Sequence, residues 1–515
     1  MKNKGASTKI NGLVRNGLFR ILFIAALFLI AMACTPIMRA AGLVSSCDEA
    51  SLLTAVSGGG MVTFTCSRTI TLTATITIFA DTTIDGTGQN VTISGGNAVQ
   101  VLTVPTGVKL SLNKLTIANG NGFYGGGVLN DGGTLTVTNS TFSGNSAPGN
   151  AGGGIYNSFF GTLTVTNSTF SGNSALYGGA IFSNFGATLT ANNSTFSSNT
   201  AQFGGGIYNW ATLIVSNSTF SGNRGIEGYS AIVNSGTGTL TVTNSTFSDN
   251  SAPSGGAITN GGTGTLRNTI FANNGNCLGS PLVDGGGNLD TDGTCVGTIS
   301  PDPLLGPLQN NGGPTQTMAI PMASPAFGGA NPANCPAIDQ RGVLRPQFMA
   351  CDIGAYEFDT ANSLLTAVRN NILTLIPTGN QHDQTTLTAV ASALAAALNS
   401  HNWHGTDGNH LNASEGDDVF ELLVEGASGR LMQLLKASPP SVIPAQTLQT
   451  LLNNVTLAGR TLATVAISDS PGGNPTKLAQ ANALVAKGDA DAAAGKYVSA
   501  LIDYEIAWAL LQRDD

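Results

Sequence analysis

The phrase TLTVTNSTFSGN, starting at Thr134, returns almost letter for letter at Thr162, Thr188, Thr212 and Thr239, with spacings of 28, 26, 24 and 27 residues. A degenerate copy, KLSLNKLTIANG, opens the series at Lys109, and LRNTIFANN closes it from Leu266. Repeats of this length signal stacked units, each burying its apolar face only against its neighbours. Inside one unit Leu135 and Val137 alternate with Thr134, Thr136 and Thr138, a period of two that marks a strand of good β-formers. A second short strand is expected at each GGG or GGA, over residues 152–155, 178–181, 204–207 and 255–258, and a third at Thr141 and Phe142. Three short strands and three turns in about 25 residues describe one coil of a single-stranded parallel β-helix. Glycine and asparagine at this density exclude a helix.

Stacking in register explains the spelling. It places Phe142, Phe170, Phe196, Phe220 and Phe247 over one another inside the coil. Asn145, Asn173, Asn199, Asn223 and Asn250 are expected at a bend, where amides bond along a ladder and the backbone turns left-handed. Charge is scarce because like charges one strand spacing apart would repel down the whole column. The recurrent NST also spells a glycosylation sequon, but it recurs because the coil recurs.

Charged residues make up only 10% of the 515-residue chain, and the net charge is −8. That excludes nucleic acid as a partner, since phosphate binding needs a basic face. Lys2, Lys4, Lys9, Arg15 and Arg20 precede the apolar run ILFIAALFLIAMA, so residues 1–33 read as a signal peptide ending at Ala31-Met32-Ala33. The alternative is an uncleaved anchor helix. Cys34 follows the cut and raises a lipid anchor, although Ala31 stands where lipoprotein signals usually carry leucine. No second apolar run exists, so the mature chain is expected to have no transmembrane span and to be secreted or held at a bacterial cell surface. Cys47, Cys66, Cys277, Cys295, Cys335 and Cys351 fall into three local groups. Neighbour pairing, 47–66, 277–295 and 335–351, is the simplest disulfide set and suits an oxidising compartment. Zinc competes with it, but no pair has the close ligand spacing.

The repeats occupy the centre of a larger β-helix expected over residues 43–300. It begins with an amphipathic cap helix at CDEASLLTAV, stapled by the first cysteine pair, because a solenoid needs its end covered. GGAI or GGGI followed by FSGN, over residues 125–274, resembles the repeat of the chlamydial polymorphic outer membrane proteins. That resemblance implies a surface-exposed adhesin, but it also implies a C-terminal barrel, whereas this sequence ends in helical spacing. The helix-then-strands entry resembles the N-terminal cap of many secreted bacterial β-helices. DPLLGPLQNNGGPTQTMAIPMASPAF and CPAIDQRGVLRPQFMACDIGAYEF resemble the choice-of-anchor region that precedes varied surface anchors. Residues 301–358 are therefore expected to supply the last coils and cap, with Asp339, Arg341, Asp352 and Glu357 in a buried Arg–carboxylate network rather than a catalytic one. Residues 359–515 read as a helical module, with helices near 361–376, 383–399, 416–437, 444–467, 475–487 and 491–512. It resembles a module appended to varied secreted bacterial proteins, and GKYVSALIDYEIAWALL resembles a single tetratricopeptide-like helix.

Because parallel β-helices host pectin lyases and polygalacturonases, a polysaccharide-active lyase or hydrolase is the alternative function. Glycoside hydrolysis needs two facing carboxylates, and lyases need a base and usually calcium. Over residues 100–275 the only charged side chains are Lys109, Lys114, Asp131, Arg224, Glu227, Asp249 and Arg267, scattered over many coils. No catalytic, cofactor or metal residue is therefore assigned. NLDTDGTC at 288–295 reads as a disulfide-closed polar turn before a calcium loop. His382, His401, His404 and His410, with Asp407 and Asp417, read as loop histidines before a metal site. Tyr124, Tyr156, Tyr208 and Trp210, with Phe160, lie in the corner segments. Exposed and aligned, these rings would stack on sugars; packed together, they would only support the coil. The reading is a non-catalytic surface protein that adheres to or binds glycans or proteins.

Overall fold

Alternating Leu and Val drive each TLTVT segment into a strand whose apolar side faces inward. In the computed structural model these strands, Thr134–Thr138, Thr162–Thr166, Thr188–Asn192, Thr212–Ser216 and Thr239–Thr243, pair parallel and without slippage. Leu135 and Val137 are fully buried and the threonines between them are half-buried. The structure describes residues 42–512 except 230, 274, 348–349, 405–407, 439 and 471–472, so the leader at 1–33, Cys34 and Asp407 lie outside the described residues.

Three parallel sheets of 11, 10 and 9 strands wind into a β-helix. The first sheet carries TLTVT strands, the second TFS strands such as Thr141–Ser143, and the third IYN strands such as Ile155–Asn157. The third-sheet strands begin at the isoleucine, not at the glycines before it. Gly152, Gly178 and Gly204 turn left-handed there, with φ of 71°, 63° and 73°. At the next position a Cβ on Gly153 would lie 2.4 Å from two carbonyl oxygens, so only glycine fits. The third position tolerates Ala180, which is why the motif reads GGG or GGA. A short fourth ladder, Ser146–Ala151, Ser174–Tyr177, Thr200–Phe203 and Arg224–Gly225, adds a strand that the repeat pattern did not suggest.

Inside, the phenylalanines form one column from Phe142 to Phe271, with ring centroids 4.6–5.3 Å apart and planes within 20° of parallel. All six are fully buried, and each such ring contributes about 1.5–3 kcal/mol. Beside them runs the amide ladder: Asn145 donates to Asn173, Asn173 to Asn199, Asn199 to Asn223 and Asn223 to Asn250, each at 2.9 Å. The left-handed turn belongs elsewhere. Asn139, Asn167, Asn193, Asn217 and Asn244, the asparagines of NST, have φ of 45–51°, whereas Asn145 and its column do not. The serine of NST makes a further ladder, with the Ser140 N–H donating to Ser168 Oγ and the pattern continuing to Ser245. NST is thus an inside corner built from one left-handed amide residue and one stacked hydroxyl.

The cap helix α1, Glu49–Ser57, covers the first coils, with Asp48 accepting from the Ser51 N–H. The disulfide Cys47–Cys66 ties it down, and Cys277–Cys295 and Cys335–Cys351 complete the neighbour pairing.

Residues 301–358 do not continue the winding, contrary to the expectation of further coils. None of their described residues joins the three sheets; their one hairpin, Leu308–Gln309 with Thr317–Met318, is antiparallel. They lie along the outside of the second sheet. The outward column there changes character along the coil: Thr141 and Thr169 are half-buried, Thr195, Thr219 and Thr246 are buried, and Ile270 and Leu289 take over at the end. Ile270 and Leu289 pack against Ile320, Ala326, Ala330 and Ile353. Gln340 donates to Thr195 Oγ1 and accepts from Thr219 Oγ1, and the Ala355 N–H donates to Thr246 Oγ1.

The other side of this clasp holds the helical module. Its helices are α2 (Ala361–Leu375), α3 (Gln381–Ala397), α4 (Gly416–Glu421), a π-helical stretch Leu422–Gly429, α5 (Arg430–Leu435), α6 (Ala445–Ser468), α7 (Pro475–Ala493) and α8 (Tyr497–Gln512). The last break falls at Gly495, later than the spacing predicts, because Gly495 supplies the left-handed turn. Val343 of the clasp enters the module's apolar core, and Asn454 bonds Leu344 N and Gly342 O.

Candidate functional site

Two regions held the candidate residues: the charged clusters and the corner aromatics. The clasp gathers the first group. Arg341 pairs with Asp339 at 2.8 Å and Asp359 at 2.6 Å, and stacks 3.6 Å from the centre of the Tyr356 ring. Arg345 pairs with Glu357 at 2.9 Å and also donates to the carbonyls of Asp352 and Gly354. All of these ionic groups are buried. Burial pushes the Asp352 carboxyl up to about 6 and that of Glu357 up to about 7, against the opposing pull of Arg345. Four carboxylates thus share two guanidiniums inside protein, a surplus of negative charge that favours a retained proton. The Asp352 oxygens accept from the N–H groups of Gly328 and Phe358, and those of Glu357 from Gln347 and Asp352, so the acids are occupied in folding the clasp.

The turn at 288–295 behaves similarly. Buried Asp290 accepts from Asn276 Nδ2 at 2.7 Å and from the N–H of Cys295 and Val296, and Asp292 accepts from Asn276 and Thr294. The amide ladder therefore ends on a disulfide-closed acidic turn. In the module His404 and His410 face each other across the hairpin Trp403–His404 and His410–Leu411, and His410 contacts Asp469 at 2.6 Å. Among the described residues no group of three or more His, Cys, Asp or Glu side chains is placed to hold a metal ion. Nor, among the described residues, is any helix long and apolar enough to cross a membrane.

The corner aromatics meet on one face. The outward column of the third sheet runs Leu129, Tyr156, Phe182, Tyr208, Val233, Thr259, Leu278 in exact register. Tyr156 stacks on Phe182 at 5.0 Å and Phe182 on Tyr208 at 5.5 Å. Tyr124 leans on Tyr156 at 4.7 Å, and Trp210 meets Phe182 and Tyr208 edge-on at 5.7 and 6.0 Å. A second column on the fourth ladder, Tyr177 over Phe203 at 5.1 Å, reaches Tyr229 at 5.2 Å. The four candidate rings are therefore brought together, but not alike. Tyr156 is buried at 8% exposure, with its hydroxyl accepting from Asn184, whereas Tyr124 and Trp210 are 38% and 42% exposed. Phe160, in the turn before Thr162, is 74% exposed and its ring lies beside Gly186.

Sequence reasoning missed Phe182, Tyr177, Phe203 and Tyr229. The signal for Phe182 was present, since IFS at 181–183 occupies the place of IYN at 155–157 and 207–209. It also missed a groove. Beyond Tyr208 the outward column shrinks to Val233 and Thr259, so the surface sinks between Tyr208, Tyr229 and Leu278. The depression has a volume of about 580 Å³ and is finished by Asn234, Ser235, Asn260 and Ser280. No charged side chain lines it. The seven charged side chains of residues 100–275 form no ion pair with one another among the described residues, and none lines this groove.

A family comparison agrees on the winding over part of the chain. The sequence model of the right handed beta helix region matches residues 55–220. No curated protein matches the sequence. Among solved structures, jun a 1, the major allergen from cedar pollen, is similar at 16% identity and a TM-score of 0.27, over 45% of this chain and 66% of the allergen, just under two thirds of its length.

Proposed function

We propose that this chain is a non-catalytic β-helix that binds an extended, uncharged glycan along the outward column of the third sheet, from Tyr124 to the groove below Tyr208. The carrying observation is the column itself: rings held in register over consecutive coils, with Tyr124 and Trp210 partly exposed beside them, leading into a neutral polar depression. Ring faces suit the apolar faces of sugars, and the Asn, Ser and Thr groups around the groove suit their hydroxyls. A polyuronate would require cations along the track, and the groove offers none. A secreted or cell-surface setting fits the leader, the three disulfides and the resemblance of the repeats to surface adhesins.

The test is a panel of neutral and uronic oligosaccharides against the whole chain and its Trp210→Ala and Tyr124→Ala variants. Saturable binding of neutral chains, weakened about tenfold by loss of the Trp210 ring, is expected, since one such contact is worth about 0.5–1.5 kcal/mol beyond its buried area. Binding that ignores both substitutions, or cleavage of any panel member, would overturn the reading; cleavage would favour the lyase or hydrolase alternative.

A further inference from the structure

The helix α8 is apolar on both sides. Tyr497, Ala500, Leu501, Tyr504, Ala507 and Trp508 face the module's core and are buried. A second stripe, Ile502, Ile506, Ala509 and Leu510, repeats at the i, i+4, i+7, i+8 spacing on the opposite side. A helix at the surface of a globular unit needs one such stripe, so two mean that the outer face is built to be covered. Ile502 and Ile506 are instead 41% and 45% exposed. They floor a cleft of about 540 Å³ between α8 and the segment formed by α4 and the π-helical stretch.

The rim of that cleft is acidic throughout. Asp417, Asp418, Glu421 and Glu425 come from one wall and Glu505 from the other, and no Lys, Arg or His lines it. Asp417 and Glu421 are four residues apart on the same turn sequence, an arrangement that destabilises a helix when both are charged. Burial and the neighbouring charges of Asp417 and Glu421 raise the Glu505 carboxyl above its ordinary range. None of the salt bridges found among the described residues involves these five acids. A face that wants an apolar cover and a rim that wants positive charge specify one kind of occupant.

We propose that this cleft docks a basic amphipathic helix of a protein partner, its Leu-type stripe on Ile502 and Ile506 and its Lys or Arg flanks against Asp417, Glu421, Glu425 and Glu505. A helix in a groove, anchored at i, i+3 or i+4 and i+7, is a recurrent recognition mode. Opposite charges at the rim supply orientation and rate, and the apolar strip supplies most of the affinity. This site is separate from the aromatic face and does not depend on it.

The probe is a labelled synthetic helix of about 18 residues, some five turns, with leucines on one stripe and lysines flanking it. Two controls accompany it: the same composition scrambled, and the same pattern with glutamate for lysine. Anisotropy against the whole chain should show one-to-one saturation, with the scrambled peptide at least tenfold weaker and the glutamate peptide not binding. Glu421→Gln and Glu505→Gln should each weaken binding about threefold, as partly exposed pairs do. Ile506→Ser, at an exposed position and with its fold checked by circular dichroism, should weaken it about tenfold. Raising salt from about 0.05 to about 0.5 M should loosen it further. Equal binding of the scrambled peptide, indifference to all three substitutions, or no saturation below about 1 mM would overturn the proposal. So would displacement of the peptide by stoichiometric calcium, which would make the cleft a cation site.

Discussion

Replacing Asn199 by alanine removes one rung from the middle of the buried amide ladder. Asn199 Oδ1 accepts from the Asn173 backbone N–H at 3.0 Å and from Asn173 Nδ2 at 2.9 Å. Its Nδ2 donates to Phe170 O and to Asn223 Oδ1, both at 2.9 Å. Truncation strips the Asn173 N–H of its partner, whereas Asn173 Nδ2 keeps Phe142 O, Asn223 Oδ1 keeps the Asn199 N–H, and Phe170 O keeps its place in the parallel ladder with the Thr195–Ser197 strand. One buried donor left unsatisfied costs about 1–3 kcal/mol, so about 2 kcal/mol is expected. Because solenoids unfold by coupled neighbours, the loss should appear locally first. Hydrogen exchange on the intact chain is therefore the assay: protection over residues 170–225 should fall by one to two decades, at about 1.4 kcal/mol per decade. Asn199→Asp should be worse above the carboxylate range, since its oxygens would face Phe170 O and Asn223 Oδ1, both acceptors, and should recover as the acid is protonated. Asn192→Ala, on the outward side of the first sheet, is the control. If the Asn199→Ala variant exchanges like this control, the ladder is ornament and the account of the repeat is wrong.

Three further outcomes follow from the same geometry. Asp352 and Glu357 hold protons in the folded clasp up to about pH 6 and about pH 7, whereas the unfolded chain releases them near 4. The folded state then binds more protons than the unfolded one in that window, so the contribution of these groups to stability is full below the unfolded values and falls as pH rises towards 7; thermal unfolding of the clasp should come earlier at pH 8 than at pH 5.5, and Glu357→Gln should flatten that slope. Ser183 interrupts a second ladder in which Asn209 donates to Asn234 and Asn234 to Asn260, each at 2.8 Å, and its buried hydroxyl has no partner. Ser183→Asn should bridge Asn157 to Asn209 and raise stability by about 0.5–1 kcal/mol, measured by denaturant midpoint; a loss would show that the coil there is too tight for the amide. Gln340→Ala removes the bonds to Thr195, Thr219 and Thr315, and should deprotect residues 338–357 to exchange while leaving the coils unchanged.

The interior of this molecule was legible because it is periodic. The strand at Thr134, the phenylalanine column and the amide ladder each recur at one place in every coil, and a column of identical buried groups has few ways to be satisfied. The helices were legible for the same reason, with Leu448, Leu452, Val455 and Leu462 repeating on one buried face of α6. What failed depended on tertiary contacts that no period reports. The glycines were assigned to strands because the left-handed turn at Gly152 and the close approach at Gly153 are tertiary facts. The clasp was assigned to coils because its sequence has no period at all. Yet the outward column held the answer: threonine gives way to Ile270 and Leu289, and an apolar residue cannot face outward from a sheet unless something lies on it.

That column and the aromatic one divide the labour of the coil. Stacking fixes every inward position, because each winding is the template for the next and a deviation propagates to both neighbours. Outward positions carry no such constraint, so differences among coils are free to become function there. On the second sheet the outward residues are chosen for the clasp, which draws the helical module in through Val343 and Asn454. On the third sheet they are chosen as rings and then as a groove. The clasp and the aromatic face occupy different sheets, so a ligand on the rings need not displace the module. No residue of the clasp lines the acidic cleft on α8, and it stays available to a second partner. A chain built this way holds its rod rigid and spends its variety on separate faces, which predicts that occupancy of one face leaves affinity at the other unchanged.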